Sequence, residues 1–421
     1  MFSDALALCF WACLTLVAFA YAVYPVLIFV FARLFGRQVD ISARERTPDV
    51  FPADGRDPNG AERAAVPVVS LLIAAHNEEE AIEARILNAL ALDYPAGRLE
   101  IVIASDGSTD GTNDIVRRYA DRGVRLLAYS VNQGKASVLD KSVPRLSGQI
   151  VILSDANTHM EPDVAWRLAA WFADPKVGVV CGRLVLTDAG TGKNADGLYW
   201  KYETFLKKCE SRLGALLGSN GAIYAIRKDL FPGVLPGTII DDFVIPLAAK
   251  RRSGCRIVYD TLAVAHEETA PTLGAEFRRR VRIGAGGFQS IGMLWPLLLP
   301  TNGWVAFTFF SHKVLRWACP FFLIGALLAN VALVGTFLYD FALAAQAGFY
   351  LLAALGNWVP ARPRALRYLR LPTMFVSMNA ALFLGFFRWF FGRQGGTWKR
   401  TERTPDGANH SPGTQTVELG R

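Results

Sequence analysis

The spacing of apolar positions divides the chain. From Leu6 to Phe35 the residues are almost uniformly apolar, with no charge before Arg33. A helix needs about 20 such residues to cross a bilayer, so this segment reads as a spanning helix. Residues 37–66 lose the pattern; rich in Pro, Asp, Arg, Gly and Ala, they read as a linker. From Val68 short apolar runs alternate with helical spacing. Val68–Ala75 is continuous, as expected of a strand buried on both faces. Glu78–Leu92 places Ala81, Ile82, Ala84, Ile86, Leu87 and Leu90 at helical intervals. Strands follow at Leu99–Ala104, Val124–Tyr129 and Ile150–Leu153, with helices at Thr112–Asp121 and Ala136–Leu146. This alternation predicts an α/β domain with a mostly parallel sheet over residues 67–287, less regular from 176 onward.

The pattern changes again at Phe288. Residues 288–316 are aromatic-rich but broken by Pro296, Pro300 and Gly303, and read as amphipathic segments at a membrane interface. Residues 317–392 hold three further apolar segments, Trp317–Tyr339, Phe341–Val359 and Thr373–Phe391. The first is long enough to span, the second lies near the lower limit, and the third carries Arg388.

Charge placement adds direction. Residues 1–36 lack a basic leading region and a small-x-small cleavage site, so they are expected to be an uncleaved anchor. Arg33 and Arg37 behind it place the following domain in the cytoplasm, on an inner or plasma membrane. A hairpin of the next two spans returns the basic loop 360–371 to the same side. A full span at 373–391 would export the basic tail that opens 393–421. That segment is therefore expected to be a tilted, re-entrant or interfacial helix. From Thr404 the tail is polar and expected to be disordered. Much of the net charge of +8 flanks the apolar segments, at Arg362, Arg364, Arg367, Arg370, Arg393, Lys399, Arg400 and Arg403. Such clusters fit an anionic membrane surface rather than nucleic acid. Six cysteines without a CxxC pair indicate neither a disulfide framework nor a zinc site.

Ligands of a parallel sheet gather at the carboxyl ends of its strands. The first strand ends in "AHNEEE" (75–80), the second in "SDGSTDGT" (105–112) and the fourth in "SDAN" (154–157). "NQGKAS" (132–137) puts Lys135 and backbone amides at a helix start, a geometry that suits phosphate. It is not the G-x-x-x-x-G-K-[ST] loop, and no G-x-G-x-x-G follows the first strand, which argues against a dinucleotide-dependent oxidoreductase. Read alone, Asp106 either contacts a ligand or belongs to a turn whose Asp110 caps the next helix. "SDAN" is a metal site with one weak ligand, a broken site or a polar turn. In "IDDF", one of Asp241 and Asp242 is expected to face a ligand while the other supports the structure, because neighbours point apart. Both equally suit a helix cap. Arg279 and Arg282 share a helical face that suits phosphate or lipid head groups. His266 reads as a polar core residue rather than a metal ligand, and His76 and His159 receive no role.

Together and in order, "AHNEE", "SDGSTDGT", "NQGKAS", "SDAN", "IDDF" and "RRVRI" resemble the family 2 glycosyltransferases of GT-A fold. The likeness is greatest to their membrane-embedded branch, the cellulose, chitin, hyaluronan and poly-N-acetylglucosamine synthases, and covers residues 67–290 most strongly. It implies an inverting enzyme that moves a sugar from a UDP-sugar to a glycan or lipid acceptor with Mg²⁺ or Mn²⁺. By the same resemblance, Ala75, Glu78, Asp106, Lys135, Asp155, Arg279 and Arg282 bind the nucleotide sugar. Asp242 is the general base. Gly218, Ser219 and Asn220 lie at the acceptor. Asp155 and Asn157 hold the metal, in a site completed by the donor's diphosphate. Asn157 stands where the family has a second acid, Ile240-Asp241 where Thr-Glu is common, and Arg279 and Ile283 where Gln and Trp are common. The last departure bears on chain length, not on sugar transfer. Transfer of one sugar to a polyprenyl phosphate shares every motif. A non-catalytic nucleotide-sugar-binding scaffold is the alternative of another class. Export of a product through this chain or through a partner stays open.

Overall fold

The computed structural model describes residues 2–37, 66–187, 197–269, 272–356 and 370–397. Nearly all of the expected linker, and most of the basic loop 360–371 and of the tail from 393, lie outside the described residues. The strands are β1 Val69–Ala75, β2 Leu99–Asp106, β3 Val124–Tyr129, β4 Ile150–Asp155, β5 His159–Met160, β6 Val177–Thr187, β7 Tyr224–Arg227 and β8 Arg256–Glu268. The helices used below are α1 Phe2–Ala18, α2 Tyr24–Leu34, α3 Ile82–Leu90, α4 Thr112–Arg117, α5 Lys135–Ser142, α6 Val164–Ala170, α7 Leu198–Arg212, α8 Asp241–Ser253, α9 Leu273–Leu294, α10 Trp304–Thr308, α11 Leu315–Ala332, α12 Phe337–Leu355 and α13 Leu371–Phe390.

One sheet runs in the order β3-β2-β1-β4-β7-β6-β8-β5. Every residue of β1 is buried, as its unbroken apolar run requires. Val69, Leu71, Ile73 and Ala75 join the core beneath α3 and α6, while Leu72 and Ala74 join the core beneath α5 and α8. The parallel expectation holds for β1 to β4. The later half departs from it and makes the sheet mixed: β7 is antiparallel to both β4 and β6. The loop before β7 already lies at the carboxyl end of β4, so the strand leaving it must run back. Register sets the strand ends level, with Ala75 beside Ser105 and Ala74 beside Asp155.

Helix α9 explains the run "GAGGF". A Cβ on Gly284 would press on Leu382 of α13, one on Gly286 would sit 2.8 Å from Ile240, and one on Gly287 would sit 2.7 Å from the Trp317 ring of α11. Three elements thus approach one helix through three missing side chains.

Among the described residues, four helices are long and apolar enough to cross a membrane: Ser3–Leu34, Trp304–Ala332, Phe337–Leu355 and Leu371–Phe390. The second starts earlier than the expected Trp317 and ends at Ala332. Gly335, at φ 115°, turns the chain, and Tyr339 belongs to the next helix. Two runs contain a π-helical turn, Phe19–Val23 and Phe309–Val314. Both turns border a buried ionic cluster on α7. The Tyr24 hydroxyl donates to Glu210 Oε1 at 2.7 Å, His312 lies 2.6 Å from the same oxygen, and Arg316 donates to Glu203 at 2.6 Å. Arg316 also packs against the rings of Tyr21, Tyr199 and Tyr202. This cluster docks the apolar helices onto the α/β domain.

Helix α13 starts beside the end of α12, where the Thr373 hydroxyl donates to the Ala353 carbonyl at 2.8 Å. Phe375 packs on Tyr21 and Phe349, and Phe386 packs on Phe288 of α9. The chain after it returns to the α/β domain, with Gly396 against Gly134 and Gly237.

Candidate active site

The loops after β1 and β2 are stitched together. Asn77, in the left-handed region at φ 54°, accepts from the Thr109 amide at 2.8 Å. The Glu78 amide donates to the Thr112 hydroxyl at 2.8 Å, and the Gly111 amide donates to Glu79 at 2.7 Å. Asp110 accepts the Thr112 amide at 3.0 Å, in the turn before α4, whose N-cap position is Gly111 rather than the expected Asp110. His76, given no role by the sequence, joins this assembly to the third loop. Its Nδ1 lies 2.6 Å from the Asp106 carbonyl and its Nε2 lies 2.9 Å from the Asn132 side-chain amide. A carbonyl only accepts, so Nδ1 carries the proton and Nε2 accepts.

Asp106 is fully buried. Its two carboxylate oxygens accept the Gln133 and Gly134 amides at 2.9 and 2.7 Å. In this structure it braces the loop that presents Lys135. Ala75, equally buried, ends β1 beneath these loops.

Lys135 leads α5 from Gly134, whose φ of 87° suits glycine. Its ammonium lies 2.5 Å from Asp155 Oδ1 and 3.7 Å from Asp241 Oδ2. A Cβ on Gly221 would sit 3.3 Å from that ammonium, 3.5 Å from Asp242 Oδ2 and 3.6 Å from Asp155 Oδ2. The sheet end therefore gathers three carboxylates and one lysine around a glycine floor. Burial alone pulls Lys135 down, but Asp155 and Asp241 outweigh it and hold the ammonium above the ordinary lysine value. Burial first, then Asp242 and Asp155, push Asp241 up to about 6 against the pull of Lys135.

The two acids of "IDDF" divide by depth. Asp241 is buried, and its Oδ2 accepts no hydrogen bond among the described residues. Asp242 is more open and accepts the Gly221 amide at 3.0 Å. Both occupy the first turn of α8 with no side-chain cap bond. Ser219 donates its amide and its hydroxyl to the Asp242 carbonyl, at 2.9 and 2.8 Å. Gly218 lies at φ 77°, where a Cβ would meet Phe243, and Asn220 bonds Lys207 and the Gly182 carbonyl. Residues 218–221 thus hold Asp242 in place.

Behind Asp155 lies Arg85, which the sequence reading passed over. It is 2% exposed, donates to Ser154 Oγ at 3.1 Å and to the Asp155 carbonyl at 3.4 Å, and has no carboxylate partner within ion-pair range among the described residues. The signal was its position: Ile82, Arg85, Ile86 and Ala89 form one inward stripe. Glu267, also unforeseen, accepts from Thr158 at 2.7 Å, and burial, with Asp155 adding, pushes it up to about 7. His266 points elsewhere, 2.9 Å from Glu161.

Arg279 pairs with Glu276 at 3.0 Å. Arg282 is exposed, on the face of α9 that carries Gly286 and Gln289. That face borders the loop entering α8, because Gln289 accepts the Ile239 amide and donates to the Gly237 carbonyl, both at 3.0 Å. Asn157 is exposed two residues beyond Asp155. Among the described residues no three acids, histidines or cysteines are arranged to hold a metal. One carboxylate and one neutral amide oxygen fit a hard cation that takes its other ligands from phosphate and water.

Residues 70–230 match the family described as Glycosyl transferase family 2. A poly-beta-1,6-N-acetyl-D-glucosamine synthase of Staphylococcus aureus (strain COL) is 28% identical over 228 residues, covering 52% of this chain and 55% of that protein. Its counterpart in Staphylococcus epidermidis is 25% identical over 245 residues, covering 56% and 59%. The chain therefore spans a little over half the length of these relatives. A mannosyltransferase of Pyrobaculum calidifontis, solved in complex with GDP-Man and Mn²⁺, aligns at a TM-score of 0.64 and 21% identity, over 92% of this chain and 100% of that one. That likeness is one of fold.

Proposed function

We propose, from the premise that residues 70–230 form a glycosyltransferase family 2 domain of GT-A fold, that the chain transfers a sugar from a UDP-sugar to a growing glycan at a membrane face. One observation carries this reading. An open carboxylate, Asp242, is fixed by the Gly221 amide beside Lys135 and Asp155, at the carboxyl ends of the strands.

In the proposed reaction an acceptor hydroxyl attacks the anomeric carbon in a single inverting displacement. Asp242 accepts the hydroxyl proton, so its carboxylate works at about 3 Å from that oxygen. Ser219 and Gly221 keep it aimed. Lys135 and Arg282 hold the diphosphate, and Asp106 and His76 keep the lysine loop in register. A divalent ion held by Asp155 and Asn157 supplies, when bound, positive charge for the departing diphosphate. The four helices among the described residues that are long and apolar enough to cross a membrane support a site at a membrane face. Named relatives that make a β-1,6-linked polymer favour a glycan acceptor.

The test is a panel of UDP- and GDP-sugars offered to the full chain in membranes, with mass analysis of polymeric and lipid products. A product that lengthens with time supports the reading. One lipid-linked sugar of constant size moves the acceptor to a polyprenyl phosphate, and transfer from no donor refutes the function.

A further inference from the structure

Asp155 is the one carboxylate that "SDAN" offers a metal, and it is already engaged. Lys135 Nζ is 2.5 Å from Asp155 Oδ1, and its side chain is 13% exposed. Asp241 and Asp242 complete a ring of three acids around the same place. From behind, the buried guanidinium of Arg85 reaches the Asp155 carbonyl. A divalent ion approaching this carboxylate meets an ammonium 2.5 Å from one of its two oxygens. Two cations repel strongly at such range in a partly buried site.

We propose that Lys135 is a resident cation. In the nucleotide-free protein its ammonium keeps a divalent metal off Asp155, and a nucleoside diphosphate opens the site by drawing the ammonium onto its phosphate oxygens. The construction of the loop supports the exchange. Asp106 clamps the Gln133 and Gly134 amides, so the backbone stays fixed while the side chain moves. The lysine stem is flexible, and its three donors accept a phosphate as readily as a carboxylate. Metal and diphosphate therefore enter together, and neither Asp241 nor Asp242 is left without a cation in the interval.

The release step rests on the nucleotide-sugar reading above; the block does not. The full chain in detergent is titrated with Mn²⁺, and free ion is read by its paramagnetic resonance signal, with and without UDP or GDP. For the wild type, weak Mn²⁺ binding alone and at least about tenfold tighter binding with UDP or GDP are expected. Lys135→Met should bind Mn²⁺ without nucleotide at least about tenfold more tightly than the wild type, and Lys135→Arg should not. Adding Asp155→Asn to Lys135→Met should abolish the gain. Thermal unfolding checks each variant, and Lys135→Gln replaces Lys135→Met if the latter does not fold. Nucleotide-free binding that is equal in the wild type and in these neutral variants overturns the inference and leaves the function standing. If neither UDP nor GDP binds the wild type at any Mn²⁺ level, the nucleotide reading falls, and the release step with it.

Discussion

Two adjacent aspartates do different work because they sit at different depths. Asp242 is half-buried, whereas Asp241 is buried, with Lys135 3.7 Å away and, among the described residues, no hydrogen bond to its Oδ2. Burial raises Asp241 from the ordinary 3.8 to about 6. Below pH 4 its carboxyl is protonated in the folded and unfolded chains alike. As pH rises through about 4 to 6, the unfolded chain gives up the proton first, so folding stability is lost across that window. Asp241→Asn should lack this slope. Its melting temperature relative to the wild type should therefore climb between pH 4 and 7 in nucleotide-free protein. A constant difference would show that Asp241 is not held protonated by burial. The acids themselves were legible in the sequence, because strand ends and helix starts are marked by pattern. Their partners were not. Arg85 and His76 act through hydrogen bonds to loops far away in the chain, and no local period encodes those.

At the scale of elements, α9 sets the position of the loop that enters α8 and carries the proposed base. Gln289 grips residues 237–239, and Gly286 lets Ile240 close on the helix. A methyl at Gly286 would sit 2.8 Å from Ile240 Cγ2 and push the start of α8. Displacements of about 1 Å in a reacting group can cost about a hundredfold in rate. Gly286→Ala should lower turnover about tenfold to a hundredfold at saturating donor, with donor affinity within about threefold of the wild type. Equal loss in both would mean that the helix shapes the donor pocket instead. The first four strands could be read from their apolar runs alone. The reversal of β7 could not, because its direction follows from where the preceding loop is tethered, through Ser219 and Gly221, to Asp242. The glycine run of α9 was visible as composition, but its three different neighbours exist only in the folded chain.

At the scale of the molecule, the contacts order the apolar helices. Phe10 of α1 packs on Tyr339 at the start of α12, and farther along α12 Phe349 meets Phe375 beside Tyr21. Helix α12 therefore comes back toward the α/β domain, and α13 continues along α9, with the chain after it reaching Gly134 and Gly237. From this path we infer that α13 does not span the membrane and that the tail stays on the side of the α/β domain. Reporters fused after residue 421 and within residues 67–287 should label the same side of the membrane, with the N-terminus opposite. A tail on the far side would require α13 to span. The central claim, that Asp242 drives sugar transfer, is tested most directly by nucleoside diphosphate release from the full chain supplied with nucleotide sugar, divalent metal and native membranes. A positioned general base contributes about 10²- to 10⁴-fold. Asp242→Asn should lose release by that factor while binding the nucleotide as the wild type does. Release that is undiminished in a variant with intact nucleotide binding would contradict the account.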